Sequence, residues 1–296
     1  MRMFEFEWFE PQSISEVTQM LSQYQESVKL IAGGTWVTLV LKQRLLFPSA
    51  LISLRKVPGL DQIEYKPGQG LFIGAMVTHR EEERSPLVRR HFPVLAETFA
   101  TVANIRVRNQ ATVAGVLCDA DYASDPPATL AALKASVSAV SQRGERSIPV
   151  RDLIVGHYST VLMPDELVTR IFVPEAPVPL AAVYLKYRTR SHEDRPCLGV
   201  AAVLQMAPDG GCKDIQVVIG AVSHTPQVVE PALASARGQK LTLELIDHIA
   251  ERYSQDIDPI SDLRASAWYR KQMVQVFTRR AILAALSQAA PGGDAL

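Results

Sequence analysis

The stretch Leu30-Ile31-Ala32-Gly33-Gly34-Thr35-Trp36 decides how this chain is read. It closes Val28-Lys29-Leu30-Ile31, a short β-prone run, with residues that carry little or no side chain. A strand that ends in small residues lets its backbone approach a ligand closely, because no Cβ intrudes. Successive N–H groups in such a turn make a concave anion nest suited to a pyrophosphate, and Thr35 adds a hydroxyl donor. Taken alone, Gly-Gly is also what any tight turn contains. A second segment, Thr112-Val113-Ala114-Gly115-Val116, has the same character more weakly. Two small-residue turns in one domain suit the two ends of a long phosphate-bearing ligand.

Outward from the first turn, Ser13 and Glu16 form a capping box after Pro11. Ile14, Val17, Leu21 and Tyr24 then recur at helical spacing. Ala50 to Leu54 is a second short strand. Gln62–Tyr65 and Leu71–Gly74 flank Lys66-Pro67-Gly68-Gln69-Gly70 as a hairpin. Thr78 and Glu81 cap another helix, and Phe92 to Ala103 reads as helical. The polar, basic run Ile105 to Thr112 leads into the second small-residue segment. Pro127–Lys134 is expected as helix, with Ser136–Ser141 and Leu167–Val173 as strands. Pro174, Pro177 and Pro179 then mark a domain boundary, since proline at that density cannot continue a ladder. Beyond it come strands Ala181–Tyr187, Leu198–Gln205 and Asp214–Ala221, then helices Leu243–Tyr253 and Ser266–Leu286. Tyr269, Met273, Val276, Phe277 and Leu283 are expected as the apolar stripe of the last helix. The expected layout is therefore a domain over 1–176 (parts of about 1–57 and 58–176), a second over 177–289, and a tail over 290–296.

The chain has 296 residues with 31 Lys plus Arg against 31 Asp plus Glu. Zero net charge gives no support to nucleic-acid or anionic-membrane binding. No apolar run reaches membrane-spanning length, and acidic residues interrupt the N-terminus where a signal peptide needs an apolar core. Cys118, Cys197 and Cys212 are far apart and odd in number, which argues against a disulfide framework or an iron–sulfur cluster held by this chain. A reducing cytoplasm is the expected location.

The standard catalytic signatures H-E-x-x-H, G-x-S-x-G and Walker A are absent, and the histidines are scattered, so no histidine metal site is expected. Gly68 to Gly74 nearly mimics a dinucleotide fingerprint, but its third glycine is displaced and it lies in a hairpin. Asp119 to Asp125 fails as a calcium loop, with Ser124 at the glycine position and Leu130 at the closing glutamate. Asp125, directly before Pro126-Pro127, is placed to cap the next helix.

The two small-residue segments together resemble a known family. Ile31-Ala32-Gly33-Gly34-Thr35 is similar to the A-G-G-T/H-S/D turn of flavoprotein subunits of the molybdenum hydroxylases, the xanthine dehydrogenase and carbon monoxide dehydrogenase type. Arg106 to Gly115 resembles their V-R-N-x-x-T-I-G-G-N segment, and Asp125-Pro126-Pro127-Ala128 their D-x-P-A. Further on, Asp165 to Ile171, Tyr184 to Arg190 with Asp194 and Pro196, and Asp262 to Arg270 match later motifs in register.

The resemblance implies an α+β fold: a two-subdomain FAD-binding fold of the vanillyl-alcohol oxidase type, followed by a small antiparallel sheet with helices. It implies FAD as cofactor, and as partners a large molybdopterin-binding subunit and a small [2Fe–2S] subunit. Electrons would pass from those clusters through FAD to an acceptor such as NAD, oxygen or a quinone. Carried over by position, Ile31, Ala32, Gly33, Gly34, Thr35, Trp36 and Val37 would line the pyrophosphate. Thr112, Val113, Ala114, Gly115 and Val116 would form the second turn around FAD. Asp125 would accept from a cofactor hydroxyl, and Val168 and Lys186 would lie along the FAD. Three residues depart from the pattern. Ala114 and Val116 stand where the family has glycine and asparagine, with a left-handed backbone costly at Ala114. Trp36 replaces a small polar residue beside the first turn, where it would stack on the cofactor, crowd it or fill the core, the last being favoured. These departures leave a second reading, a structural subunit of the same complex without FAD; a stand-alone FAD oxidase is a third and weaker one, because only about 120 residues follow the proline-rich boundary.

Overall fold

The computed structural model describes residues 5–176, 180–191 and 193–289. The boundary expected at Pro177 and Pro179 and the tail from 290 lie outside them.

Three larger sheets and a two-stranded ribbon of Ile154–Gly156 and Ser159–Thr160 organise the described residues. In the first, strands Glu7–Phe9 and Val28–Ile31 both run parallel to a central Ala50–Ser53. Helix Ile14–Tyr24 buries Val17 and Leu21 in the same core as Val28, Ala50 and Ile52. The Ser13 hydroxyl caps that helix by accepting from the Glu16 N–H. The Glu16 carboxylate accepts from the Gln12 N–H instead of that of Ser13, so the capping box is displaced by one residue. The second sheet is antiparallel, in the order Ile63–Lys66, Gly70–Gly74, Leu167–Pro174, Ser136–Ser141 and Gly144–Pro149. Leu167–Pro174, remote in sequence from both neighbours, occupies its centre. The Thr78–Glu81 capping box is complete.

The third sheet takes Ala181–Tyr187, Leu198–Met206 and Cys212–Gly220 in chain order, all antiparallel. Successive side chains of a strand point to opposite faces, and this alternation positions the site. Ala181 and Val183 pack with helices Leu243–Asp256 and Ala267–Ala289. Ala182 and Tyr184 turn to the other face and join the core of the second sheet. Lys186 shares that second face.

Several expectations need correction. Phe92–Ala103 is helical only over Pro93–Ala100, and the backbone at Ala103 is left-handed (φ 43°). Ile105–Arg108, for which no element is expected from the sequence, is a single helical turn whose start the Asn104 side chain caps by accepting from the N–H groups of Arg106 and Val107. The last helix buries Arg270, Val274, Thr278, Ala281, Ile282 and Ala285; Tyr269, Met273 and Phe277 flank that face half-buried. The buried face is displaced because it includes an arginine and a threonine, which apolar periodicity does not count. Strand Glu7–Phe9 and helix Glu230–Ala234 were not anticipated.

Candidate cofactor-binding site

Between the three units lies a cavity of about 910 Å³, within the range of small-molecule and cofactor sites. Ala32, Gly33, Gly34, Thr35, Trp36 and Val37 line it from the first unit; Thr112, Ala114, Gly115, Val116, Asp125 and Val168 from the second; Lys186 from the third. Ile31 lies beneath the turn, its side chain under Gly34. Val113 faces away from the cavity: it is fully buried in the core, and its N–H donates to the Val77 carbonyl at 2.9 Å.

The two small-residue segments meet. A Cβ on Gly33 would stand 1.7 Å from the Gln110 carbonyl oxygen, so only glycine permits this approach. The 110–113 segment is itself pinned by the His79 N–H donating to the Ala111 carbonyl at 2.8 Å. Among the described residues, the N–H groups of Gly33, Gly34, Thr35 and Trp36 donate to no protein acceptor. Four free donors beside a cavity are a ready nest for phosphate oxygens.

The second segment is a helix start, not a bend. Thr112 caps Val113–Asp119, its hydroxyl accepting from the Gly115 N–H at 3.1 Å. A hydroxyl at that position favours a helix N-terminus. Ala114 is helical and buried, so the left-handed penalty expected there does not arise.

Asp125 does not cap its helix. Its carboxylate accepts from the Tyr184 hydroxyl at 2.7 Å and the Lys186 ammonium at 2.9 Å, and Lys186 also donates to the Thr101 carbonyl at 2.9 Å. Both charged side chains are almost fully buried (3% exposed for Lys186, 4% for Asp125). Burial pushes the Asp125 carboxyl up, and Lys186 and Tyr184 pull it back. Gly199 on the neighbouring strand makes room, since a Cβ there would sit 2.1 Å from the Tyr184 hydroxyl.

Trp36 is a cavity wall rather than core. It is half-buried, with its ring 5.6 Å from that of Tyr158 and the Lys29 ammonium 6.0 Å over its face. Other cavity residues escaped the sequence reading. Tyr158 stands at a left-handed backbone position (φ 55°), and Leu162, Met163 and Arg195 come from remote loops. Asp119 also lines the cavity. One of its oxygens is buried without a partner, and burial followed by the nearby Asp121 lifts its carboxyl to about 7. His79 lines it too, held neutral by burial that lowers its ring to about 4, with Nε2 3.2 Å from the Thr112 carbonyl. No signal in the sequence singled these out. Only Asp119 stood in a noted acidic cluster.

Residues 4–176 match the model of the FAD binding domain in molybdopterin dehydrogenase. The chain belongs to this FAD-binding family. Residues 183–285 match the CO dehydrogenase flavoprotein C-terminal domain. The nicotine 6-hydroxylase medium subunit of Paenarthrobacter nicotinovorans is 35% identical, covering 93% of this chain and 95% of that one. The carbon monoxide dehydrogenase medium chain of Afipia carboxidovorans is 30% identical, covering 96% and 98%. The structure superposes on a carbon monoxide dehydrogenase from Hydrogenophaga pseudoflava with a TM-score of 0.93 at 29% identity, covering 98% of this chain and 100% of that one. This family member is thus an FAD-binding oxidoreductase component of the molybdenum hydroxylase family, with the α+β fold of its relatives. Among the described residues, no helix is long and apolar enough to cross a membrane.

Proposed function

We propose that this chain is the electron-transferring FAD subunit of a heterotrimeric molybdenum hydroxylase in the cytoplasm. A small [2Fe–2S] subunit delivers electrons, a large molybdopterin-binding subunit hydroxylates the substrate, and FAD passes electrons to an acceptor such as NAD, oxygen or a quinone. Residues 1–176 carry the FAD site in this reading, and residues 177–289 form the module that completes it.

One observation carries the proposal: the turn Gly33 to Trp36, whose N–H groups meet no protein acceptor among the described residues, lines the same cavity as the buried Asp125–Lys186 pair. The donors suit a diphosphate. Asp125 retains acceptor capacity for a cofactor hydroxyl, since a carboxylate offers about four lone-pair sites and two protein donors reach it. Lys186 adds its ammonium to the same cavity, and Val168, whose side chain is buried in the core, would meet the cofactor chiefly through its main chain. FAD supplies the redox chemistry; the protein binds, orients and shields it. The FAD-free structural reading rested on Ala114, Val116 and Trp36. Ala114 is an ordinary helical residue, and Val116 and Trp36 border the cavity without filling it.

The test is reconstitution. The purified chain is expected to take up one FAD and turn yellow. On mixing with a reduced [2Fe–2S] partner subunit, its flavin absorption should bleach. A chain that binds FAD but accepts no electrons from that partner would refute the electron-transfer role.

A further inference from the structure

The motif Asp262 to Arg270 lies far from the cavity in sequence, yet it is wired to the cavity wall. The wall segment Asp121–Asp125 contributes Asp121, Ala123, Ser124 and Asp125 to the cavity and contains no regular element, the next helix beginning at Pro126. Its two ends are held from the third unit: Asp121 pairs with Arg195, and Asp125 with Tyr184 and Lys186. Tyr122 stands between them and faces the other way. Its hydroxyl donates to the Asp262 carboxylate at 2.6 Å and accepts from Arg264 at 3.2 Å.

Asp262 is unusually well held. It also accepts from the N–H groups of Arg264 and Ala265, from the Arg264 guanidinium and from Arg270. Although burial opposes ionisation, these donors hold its carboxyl far below the usual carboxylate range. Arg270 is fully buried and divides its donors: one to Asp262 at 2.9 Å, one to the Ile260 carbonyl at 2.7 Å and one to the Cys197 carbonyl at 3.0 Å. Cys197 follows Arg195 by two residues. A single guanidinium therefore fixes both routes to the wall, through Asp262 to Tyr122 and through the Cys197 backbone to Arg195 and Asp121.

We propose that Tyr122 is a positioning residue for the flavin, a strut through which the C-terminal module sets the Asp121–Asp125 wall. This rests on the FAD reading above. Tyr122 does not line the cavity, so it acts on the cofactor only through its neighbours.

The test uses the full chain with FAD as probe. It compares Tyr122→Phe, which deletes one hydroxyl, with Tyr65→Phe, which deletes a hydroxyl bonded to Glu175 away from the cavity. A hydrogen bond to a charged group sets the scale, and Y122F is expected to weaken FAD binding about tenfold. It should also alter the visible circular dichroism of bound flavin while leaving apoprotein melting near that of Y65F. Wild-type affinity and dichroism in Y122F would overturn the strut. So would a fall in apoprotein melting large enough to account for lost binding. If the unmodified chain itself takes up no FAD, the FAD reading fails first and the strut falls with it.

Discussion

Gly33→Ala tests the site at its tightest point. The added Cβ would lie 1.7 Å from the Gln110 carbonyl oxygen and 2.5 Å from its carbonyl carbon, where ordinary contact begins at 3.4 Å. The obstacle is backbone, so no rotamer change relieves it, and the turn and the 110–112 segment must separate. Overpacking of well-packed sites costs about 1–3 kcal/mol, and a backbone collision belongs at the upper end. If that cost falls on the geometry that receives the phosphates, about 3 kcal/mol corresponds to roughly 100-fold weaker FAD binding. Gly34→Ala has a different cost: its φ of 73° is strained for alanine, but the nearest atoms are side-chain ends of Ile31 and Thr38 at 3.3 Å. Gly59→Ala is the control, with a φ of 78° and nothing within 4 Å. It should cost about 1 kcal/mol of stability and leave FAD affinity unchanged. Fluorescence titration of FAD into each apoprotein, beside urea unfolding, reads both quantities. The expected order of affinity loss is G33A, then G34A, then G59A. G33A binding FAD as tightly as the parent would refute the close approach of the two segments.

Other expectations follow from buried charges. Lys186→Met leaves Asp125 buried without its cation and should destabilise the chain by about 3–5 kcal/mol; adding Asp125→Asn should recover part of that loss in urea unfolding. Glu82 is fully buried, neither carboxylate oxygen has a partner among the described residues, and burial lifts it to about 8. The folded state therefore holds this proton more tightly than the unfolded chain does. Its stabilising contribution is present below about pH 4.5 and is lost as pH rises through about 8, on the order of 5 kcal/mol in all. Glu82→Gln should remove that dependence, so the gap between variant and parent widens from pH 5 to pH 8; parallel stability curves would contradict it.

Local physics made much of the fold legible. The Pro67-Gly68 hairpin and the Thr78–Glu81 capping box depend on neighbours within a few residues, and the strands of the third sheet announce themselves by β-prone runs and pair in chain order. Short elements that depend on distant partners were not legible. Glu7–Phe9 is a strand because Ala50–Ser53 lies beside it, and three residues carry no periodicity. The residues of the second small-residue segment suit a bend or a helix start alike, and the Thr112 hydroxyl settles the matter only in place.

The amino-acid sequence alone determined that residues 32–34 present backbone with almost no side chain, and that six motifs stand in the order of a flavoprotein family. The tertiary structure alone decided what those features face: Gln110 against Gly33, Tyr184 and Lys186 against Asp125, and Tyr158 against Trp36. The reason is physical. A missing Cβ or a turn hydroxyl is a property of one residue, whereas a buried charge pair or a cavity wall exists only where separate segments are packed together.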